Sequence, residues 1–325
     1  DHWAEVHGLS AFADGGLDPH FDAVEALLGI RPVQPEVQGR RNELFREGAT
    51  KLGWSVVPMP RAERDCRDSG RCMLGCRHEA KESVDRRPIR GHLDAGGRVL
   101  TSVAIDRVLM DGRRAYGVAG HTVDPQTQAK AFAVRIEADV VVMAAGAVNT
   151  PRIVRASDLK APAIGANLRF HPSCFVVGEF DEDVDPWDGA TQGYQCLDYL
   201  EQGIKLESLW STPGVFAMRF PASGTQFKRT LAKYRRCSVF DAWISGEASV
   251  GRVGSLPGGR ADLAWNFHQA DVRRLQEANA LLAEMFAAAG AKQVMHGIHG
   301  LPEVMRPEDA AYEIRRGEFG PQDLP

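Results

Sequence analysis

At 325 residues, with 44% hydrophobic and 25% charged side chains, the chain can bury a large core and has room for two domains. A net charge of −4 leaves no electrostatic footprint for nucleic acid or an anionic membrane, and no apolar run reaches transmembrane length. Six cysteines are too few and too unevenly placed to be a disulfide framework for a chain this long.

The first predicted element is a helix over Asp18–Gly29. Asp18 is its cap, Pro19 its first residue and Gly29 its left-handed end, with Phe21, Val24, Leu27 and Leu28 on one apolar face. A second helix is expected from about Arg41 to Leu52, with Leu44, Phe45, Ala49 and Leu52 on one side and Gly53 as its stop.

The next stretch carries chemistry. Cys66, Cys72 and Cys76 are spaced C-x5-C-x3-C. The bacterial ferredoxin run C-x2-C-x2-C-x3-C gives this spacing if Ser69 replaces its second Cys, and three thiolates suit a three-iron cluster. Gly70 and Gly75 would let the loop wrap closely, and Arg67, Arg71 and Arg77 could offset the negative charge. Two alternatives stay open: zinc on Cys66, Cys72, Cys76 and His78, and thiols with only a structural role. A catalytic thiol is disfavoured, since no His is placed to activate one.

Arg98–Met110 and Arg113–Val118 read as strands around the hairpin signal Asp111-Gly112, and Phe132, Val134 and Ile136 alternate as a third strand. Val140–Ala145 is apolar without alternation, the pattern of a parallel strand covered on both faces. Gly146 then allows a tight turn, Asn149 or Thr150 can cap a helix, and Pro151 suits its first position. Strand, small-residue turn and helix is a unit that presents backbone N–H groups to a nucleotide; it is also an ordinary connection. Beyond Pro172, strands are expected at Cys174–Phe180, Gly203–Trp210, Gly214–Phe220, Val239–Ser245 and Ala261–Phe267. Asp271–Ala289 is the strongest helix, with Val272, Leu275, Ala278, Leu282, Met285 and Phe286 in one stripe. His296 and His299, flanking Gly297-Ile298, could serve as ligands or bases, and a surface-loop role is preferred.

Taken together, Ala144-Ala145-Gly146-Ala147, Thr150-Pro151, Ile153-Val154 and Ser157 resemble the second signature of the glucose–methanol–choline (GMC) oxidoreductases. Gly165, Asn167, Leu168, His171 and Pro172 resemble that family's Gly-x-Asn-Leu-x-x-His-Pro segment. Asp158 stands where the family usually has Gly, and Phe170 where many members have Asp, which implies a distant branch. Cys66, Gly70, Cys72, Gly75, Cys76, Ala80 and Lys81 match the Cys-rich segment of long-chain alcohol oxidases, except at Ser69. The same three-Cys spacing occurs in catalytic subunits of flavin-dependent sugar dehydrogenases, where it holds a [3Fe–4S] cluster.

The resemblance implies FAD as cofactor, with the backbone of Ile105 and the Ala144, Ala145 and Gly146 turn on the flavin side. It implies an alcohol or sugar as substrate, and a cytochrome or small subunit as electron acceptor if Cys66, Cys72 and Cys76 hold a cluster. The implied fold is mixed α/β. A partial FAD-binding, Rossmann-like domain over 1–160, carrying the helical insert and Cys loop, precedes an antiparallel-sheet substrate domain over 161–325 with helices behind it. The family's Gly-x-Gly-x-x-Gly turn is absent, and its catalytic His segment is expected beyond residue 325. With no Met at Asp1, the chain is expected to be an internal piece, inactive by itself. The alternative is a non-catalytic metal-binding or scaffold protein, complete at this length.

Overall fold

The computed structural model describes residues 2–218 and 223–324. In chain order the helices are α1 (His2–His7), α2 (Asp18–Leu28), α3 (Arg40–Lys51), α4 (Pro88–Asp94), α5 (Gly146–Ala156), α6 (Pro213–Met218), α7 (Gly224–Ala232), α8 (Gln269–Ala289) and α9 (Pro307–Arg316). The strands are β1 (Ile30–Pro32), β2 (Val57–Pro58), β3 (Pro60–Ala62), β4 (Val103–Asp111), β5 (Arg114–Val123), β6 (Lys130–Glu137), β7 (Ser173–Glu179), β8 (Tyr194–Cys196), β9 (Ile204–Leu209), β10 (Cys237–Ile244), β11 (Arg252–Ser255), β12 (Ala261–Ala264) and β13 (Gln293–Met295). The architecture is mixed α/β, and the strand pairings among the described residues are antiparallel. Two compact units are interleaved along the chain.

The larger unit takes residues 1–95, 172–244 and 272–325. Its frame is a six-stranded sheet in the order β13-β7-β10-β9-β8-β2. Helices α3 and α8 pack on one face. Phe240 stacks on Phe286 with ring centroids 4.0 Å apart and meets Phe45 edge-on at 5.1 Å. On β7, Gly178 makes room for the Phe286 ring, which a Cβ there would overlap. The opposite face is closed by an apolar cluster of Val177, Phe216, Tyr234, Val239 and Met295 around Cys237. The central strand β10 is therefore covered on both sides, and its burial is nearly continuous rather than alternating. The α8 stripe is buried as its periodicity predicts, with Val272, Ala278, Leu282, Met285 and Phe286 fully enclosed.

The smaller unit takes residues 96–171 and 245–271. The expected meander is present as β4-β5-β6. Asp111 and Arg114 close the ladder, so the turn residues are Gly112, at φ 57°, and Arg113. Helix α5 packs beside β4, and the Ser157 hydroxyl joins them. It accepts from the Val108 N–H at 2.7 Å and donates to the Ile153 carbonyl at 2.6 Å. Leu168 pairs with Gly251 in both directions, at 3.0 and 2.8 Å.

Four local expectations are corrected. Val140–Ala145 is not a strand: Val140 and Val142 are exposed at 77% and 81%, and no described strand pairs with them. An apolar run forms a parallel strand only when flanking strands take up its backbone groups, and none does here. Helix α5 begins at Gly146, so Asn149, Thr150 and Pro151 lie inside it. The Thr150 hydroxyl still accepts the Ala145 N–H at 3.1 Å, acting as a cap from within. Gly214–Phe220 is helical over Pro213–Met218, because Thr212-Pro213 is a helix start, with the Thr212 hydroxyl accepting the Val215 N–H at 3.3 Å; Arg219 and Phe220 lie outside the described residues. Finally, Asp18 sits in the first turn of α2 rather than capping it, and Phe21, Val24 and Leu27 are exposed, although Gly29 ends the helix at φ 59° as expected.

Candidate functional site

Cys66, Cys72 and Cys76 lie on the wall of one cavity of about 340 Å³, in the larger unit. Residues of the β3 segment, Met59 to Glu63, form one side, and Gly189 to Gln192 another. Gly70 and Gly75 both take positive φ, 60° and 99°. At Gly70 this is enforced by space as well, because a Cβ would overlap the Trp187 carbonyl oxygen. All six cysteines are free thiols, and these three are half-buried.

The three thiols do not share one environment. Burial pushes the Cys66 thiol above its ordinary value. Burial also raises Cys76, but backbone N–H groups of Lys81, His78, Ala80 and Glu79 outweigh it and bring that thiol below the ordinary value. The turn gathering those N–H groups has Glu79 in the left-handed region at φ 53°, which makes an anion-holding concavity of the backbone.

Among the described residues, no group of three or more His, Cys, Asp or Glu side chains converges closely enough to hold a metal ion. The zinc alternative on Cys66, Cys72, Cys76 and His78 therefore has no assembled donor set. The same holds for the three cysteines as ligands of a single ion, whereas a cluster, in which each cysteine binds a different iron, does not require them to converge on one point.

Two arginines that the Cys spacing did not point to bear on this site, Arg61 on the cavity wall and Arg41 beyond it. Arg61 Nη2 donates to Cys66 Sγ at 3.6 Å and forms an ion pair with Glu63. Burial pushes the Arg61 guanidinium down, and the charges of Glu63, Cys72 and Cys66 more than offset it. Arg41 is fully buried in α3 and donates to the Ala190 carbonyl and to Asn42. Burial depresses it strongly, and the Arg61 charge adds to the fall. Arg61 Nη1, Arg41 Nε and Trp210 Nε1, the last beside Gly70, are buried donors without a hydrogen-bond partner. Of these three, Arg61 is the one on the cavity lining, where its free N–H suits an anionic occupant, and the buried Glu63 Oε1 on the same wall also lacks a hydrogen-bond partner. By contrast Arg67, Arg71 and Arg77 are exposed, and of these Arg67 reaches the cavity wall.

In the smaller unit, Ala144, Ala145 and Gly146 are exposed at the N-terminus of α5. Gly146 has φ 81°, with open space where a Cβ would stand. Ile105 lies on β4, an edge strand, beside a register shift between Ile105 and Arg107. An edge strand leaves one row of backbone groups outside the ladder, the kind of group a ligand can use. His296, expected on the surface, is fully buried. Its Nε2 contacts the Pro302 carbonyl at 3.0 Å and its Nδ1 takes the Ile298 N–H at 3.1 Å. His299 is exposed.

The sequence model of the GMC oxidoreductase family matches residues 1–173, which include the Cys loop, Ile105 and the α5 start. This chain belongs to the GMC oxidoreductases. An uncharacterized GMC-type oxidoreductase of Mycobacterium tuberculosis is 31% identical over 316 residues, 97% of this chain and 49% of that protein. Another, of Sinorhizobium fredii, is 28% identical over 301 residues, 92% of this chain and 58% of that protein. A long-chain-alcohol oxidase of Arabidopsis thaliana is 26% identical over 317 residues, 90% of this chain and 40% of that protein. The chain thus spans about half the length of the curated bacterial relatives it matches. An FAD-dependent oxidoreductase from Chaetomium thermophilum has a similar fold, with TM-score 0.50 and 12% identity over 87% of this chain and 60% of that one.

The GMC motif's Ser, Ser157, supplies the tie between α5 and β4. Asp158, where the family usually has Gly, takes φ 58°, and Asn167 takes the same value. Gly165 has φ 73°, and a Cβ there would overlap the Val253 carbonyl oxygen.

Proposed function

We propose that this chain is the middle part of an FAD-dependent GMC oxidoreductase that oxidises the CH–OH group of an alcohol or sugar and passes electrons on through a [3Fe–4S] cluster. In this reading the flavin side lies before about residue 160 and the substrate side after it. The backbone at Ile105 and the Ala144, Ala145 and Gly146 turn would contact FAD, which when bound supplies a hydride acceptor. The catalytic base belongs to a segment outside this chain. Cys66, Cys72 and Cys76 would hold the cluster, which when bound supplies a one-electron relay towards a cytochrome or small subunit. A relay of this kind favours a dehydrogenase over an enzyme that reacts directly with oxygen.

One observation carries the reading: within a GMC chain, three thiols line one cavity together with the Arg61 guanidinium, whose Nη1 is buried without an acceptor. The chain's own groups have definite tasks. The backbone N–H groups at His78–Lys81 bring the Cys76 thiol below its ordinary value, Arg61 contacts Cys66, and Gly70 keeps the loop against Trp187.

The test is iron, acid-labile sulfide and flavin content of the purified full-length protein and its Cys66→Ser, Cys72→Ser and Cys76→Ser variants. We expect about three irons per flavin in the wild type and loss of iron with flavin kept in the variants. A flavin-loaded wild type without iron would remove the relay and favour an alcohol oxidase with structural thiols. That second reading has the plant long-chain-alcohol oxidase similarity behind it. Family membership speaks against the scaffold alternative.

A further inference from the structure

Arg61 is set apart from the other arginines near the Cys loop. It lies before the Cys run, on β3, whose pairing with β1 fixes its backbone. Its side chain is mostly buried, at 13% exposure, whereas Arg67, Arg71 and Arg77 are open to solvent, where water screens their charge. The guanidinium bridges two acceptors: Nη2 is shared between the Glu63 carboxylate and Cys66 Sγ. Nη1 is buried with no partner, and the residue forms part of the cavity wall. Glu63 is itself buried. Its other oxygen lies 3.9 Å from Arg31 Nε, so its charge is divided between two arginines.

We propose that Arg61 tunes the reduction potential of the group held by Cys66, Cys72 and Cys76, with Glu63 setting how much of its positive charge reaches the thiolates. The inference rests on the cluster reading above. Reduction adds one electron to the cluster and makes or breaks no bond to Arg61. The added negative charge is stabilised by a guanidinium already in place, hydrogen-bonded to one of the ligating sulfurs. Hydrogen bonds to sulfur and local charge are the levers by which a protein shifts such potentials, and burial enlarges their effect. The donating electron comes from the reduced flavin of the proposed reaction. Arg61 is a positioning residue here, acting through the Cys66 sulfur.

The two side chains make opposite predictions. Arg61→Met removes the positive charge and is expected to lower the potential. Glu63→Gln frees Arg61 of its anionic partner and is expected to raise it. Each change should be at least tenfold in the reduction equilibrium constant, about 59 mV for a one-electron couple. The experiment is a mediated redox titration of the full-length protein, followed by the EPR signal of the oxidised cluster, with iron and sulfide measured on every sample. Arg67→Met serves as the solvent-screened control, with a shift well below tenfold.

Opposite shifts at full iron content support the proposal. Iron-replete variants with the wild-type potential, or shifts of the same sign, overturn it and leave the cluster reading standing. An iron-free wild type overturns both. Should Arg61→Met lose its cluster, Glu63→Gln decides alone: an unchanged or lower potential at full iron content refutes the inference.

Discussion

At the scale of single residues, the departures from the family motif are the informative positions. Asp158 occupies a left-handed backbone position that the family usually fills with Gly. Asp tolerates this conformation better than most side chains but still at a cost. Asp158→Gly is expected to raise stability by up to about 1 kcal/mol, read from the urea midpoint. A clear drop would show that the Asp158 carboxylate has a compensating role. Ser157 points the other way. Its hydroxyl is the acceptor for the buried Val108 N–H, so Ser157→Ala strands that donor and should cost about 1–3 kcal/mol. Hydrogen exchange at Val108 gives the local check, with faster exchange than in wild type. Ser157 and Asp158 were both visible in the sequence as motif positions. Their reasons were not, because one depends on a strand 49 residues away and the other on a backbone angle.

At the scale of elements, α8 and β10 carry the core of the larger unit. Phe240 is enclosed between Phe45 and Phe286, so Phe240→Ala should cost about 3–5 kcal/mol with an unchanged denaturant slope. Gly178→Ala fails for the opposite reason, since the added methyl meets the Phe286 ring; about 1–3 kcal/mol is expected. Helices with strong local punctuation were legible: Gly29 ends α2, and the apolar stripe of α8 is buried as its period requires. The Asp111-Gly112 hairpin was legible for the same reason. Val140–Ala145 was not, because an apolar run specifies burial only if a partner is there to bury it.

At the scale of the whole molecule, two buried groups set separate pH windows for stability. His296 is held neutral by its burial, which lowers its folded value below that of an ordinary histidine. The unfolded chain therefore takes up a proton first as pH falls. Stability should decline from about pH 6.5 downwards, by about 1.4 kcal/mol for each unit separating the two states, until the folded pKa is reached. His296→Gln should flatten this limb of a stability curve measured between pH 8 and 5. A wild-type curve flat over that range would contradict the assignment. Glu82 acts lower down. Its hydrogen bonds from Arg87 hold its carboxyl below the usual range despite burial. Its contribution is present above about pH 4.5 and is lost as pH falls towards the folded value.

The sequence alone determined part of the local structure and the chemistry available to it: the Gly29 end of α2, the apolar stripe of α8, the hairpin after β4, three closely spaced thiols and the GMC motif. These follow from interactions between residues a few positions apart, whose strength does not wait on the rest of the chain. Tertiary structure alone decided what each reactive group faces. It placed Arg41 against Ala190, gave Cys66 the Arg61 guanidinium, buried His296 and left Val140 and Val142 exposed. Burial and charge pairing are properties of an enclosed volume, and the residues that enclose it come from segments far apart in the chain.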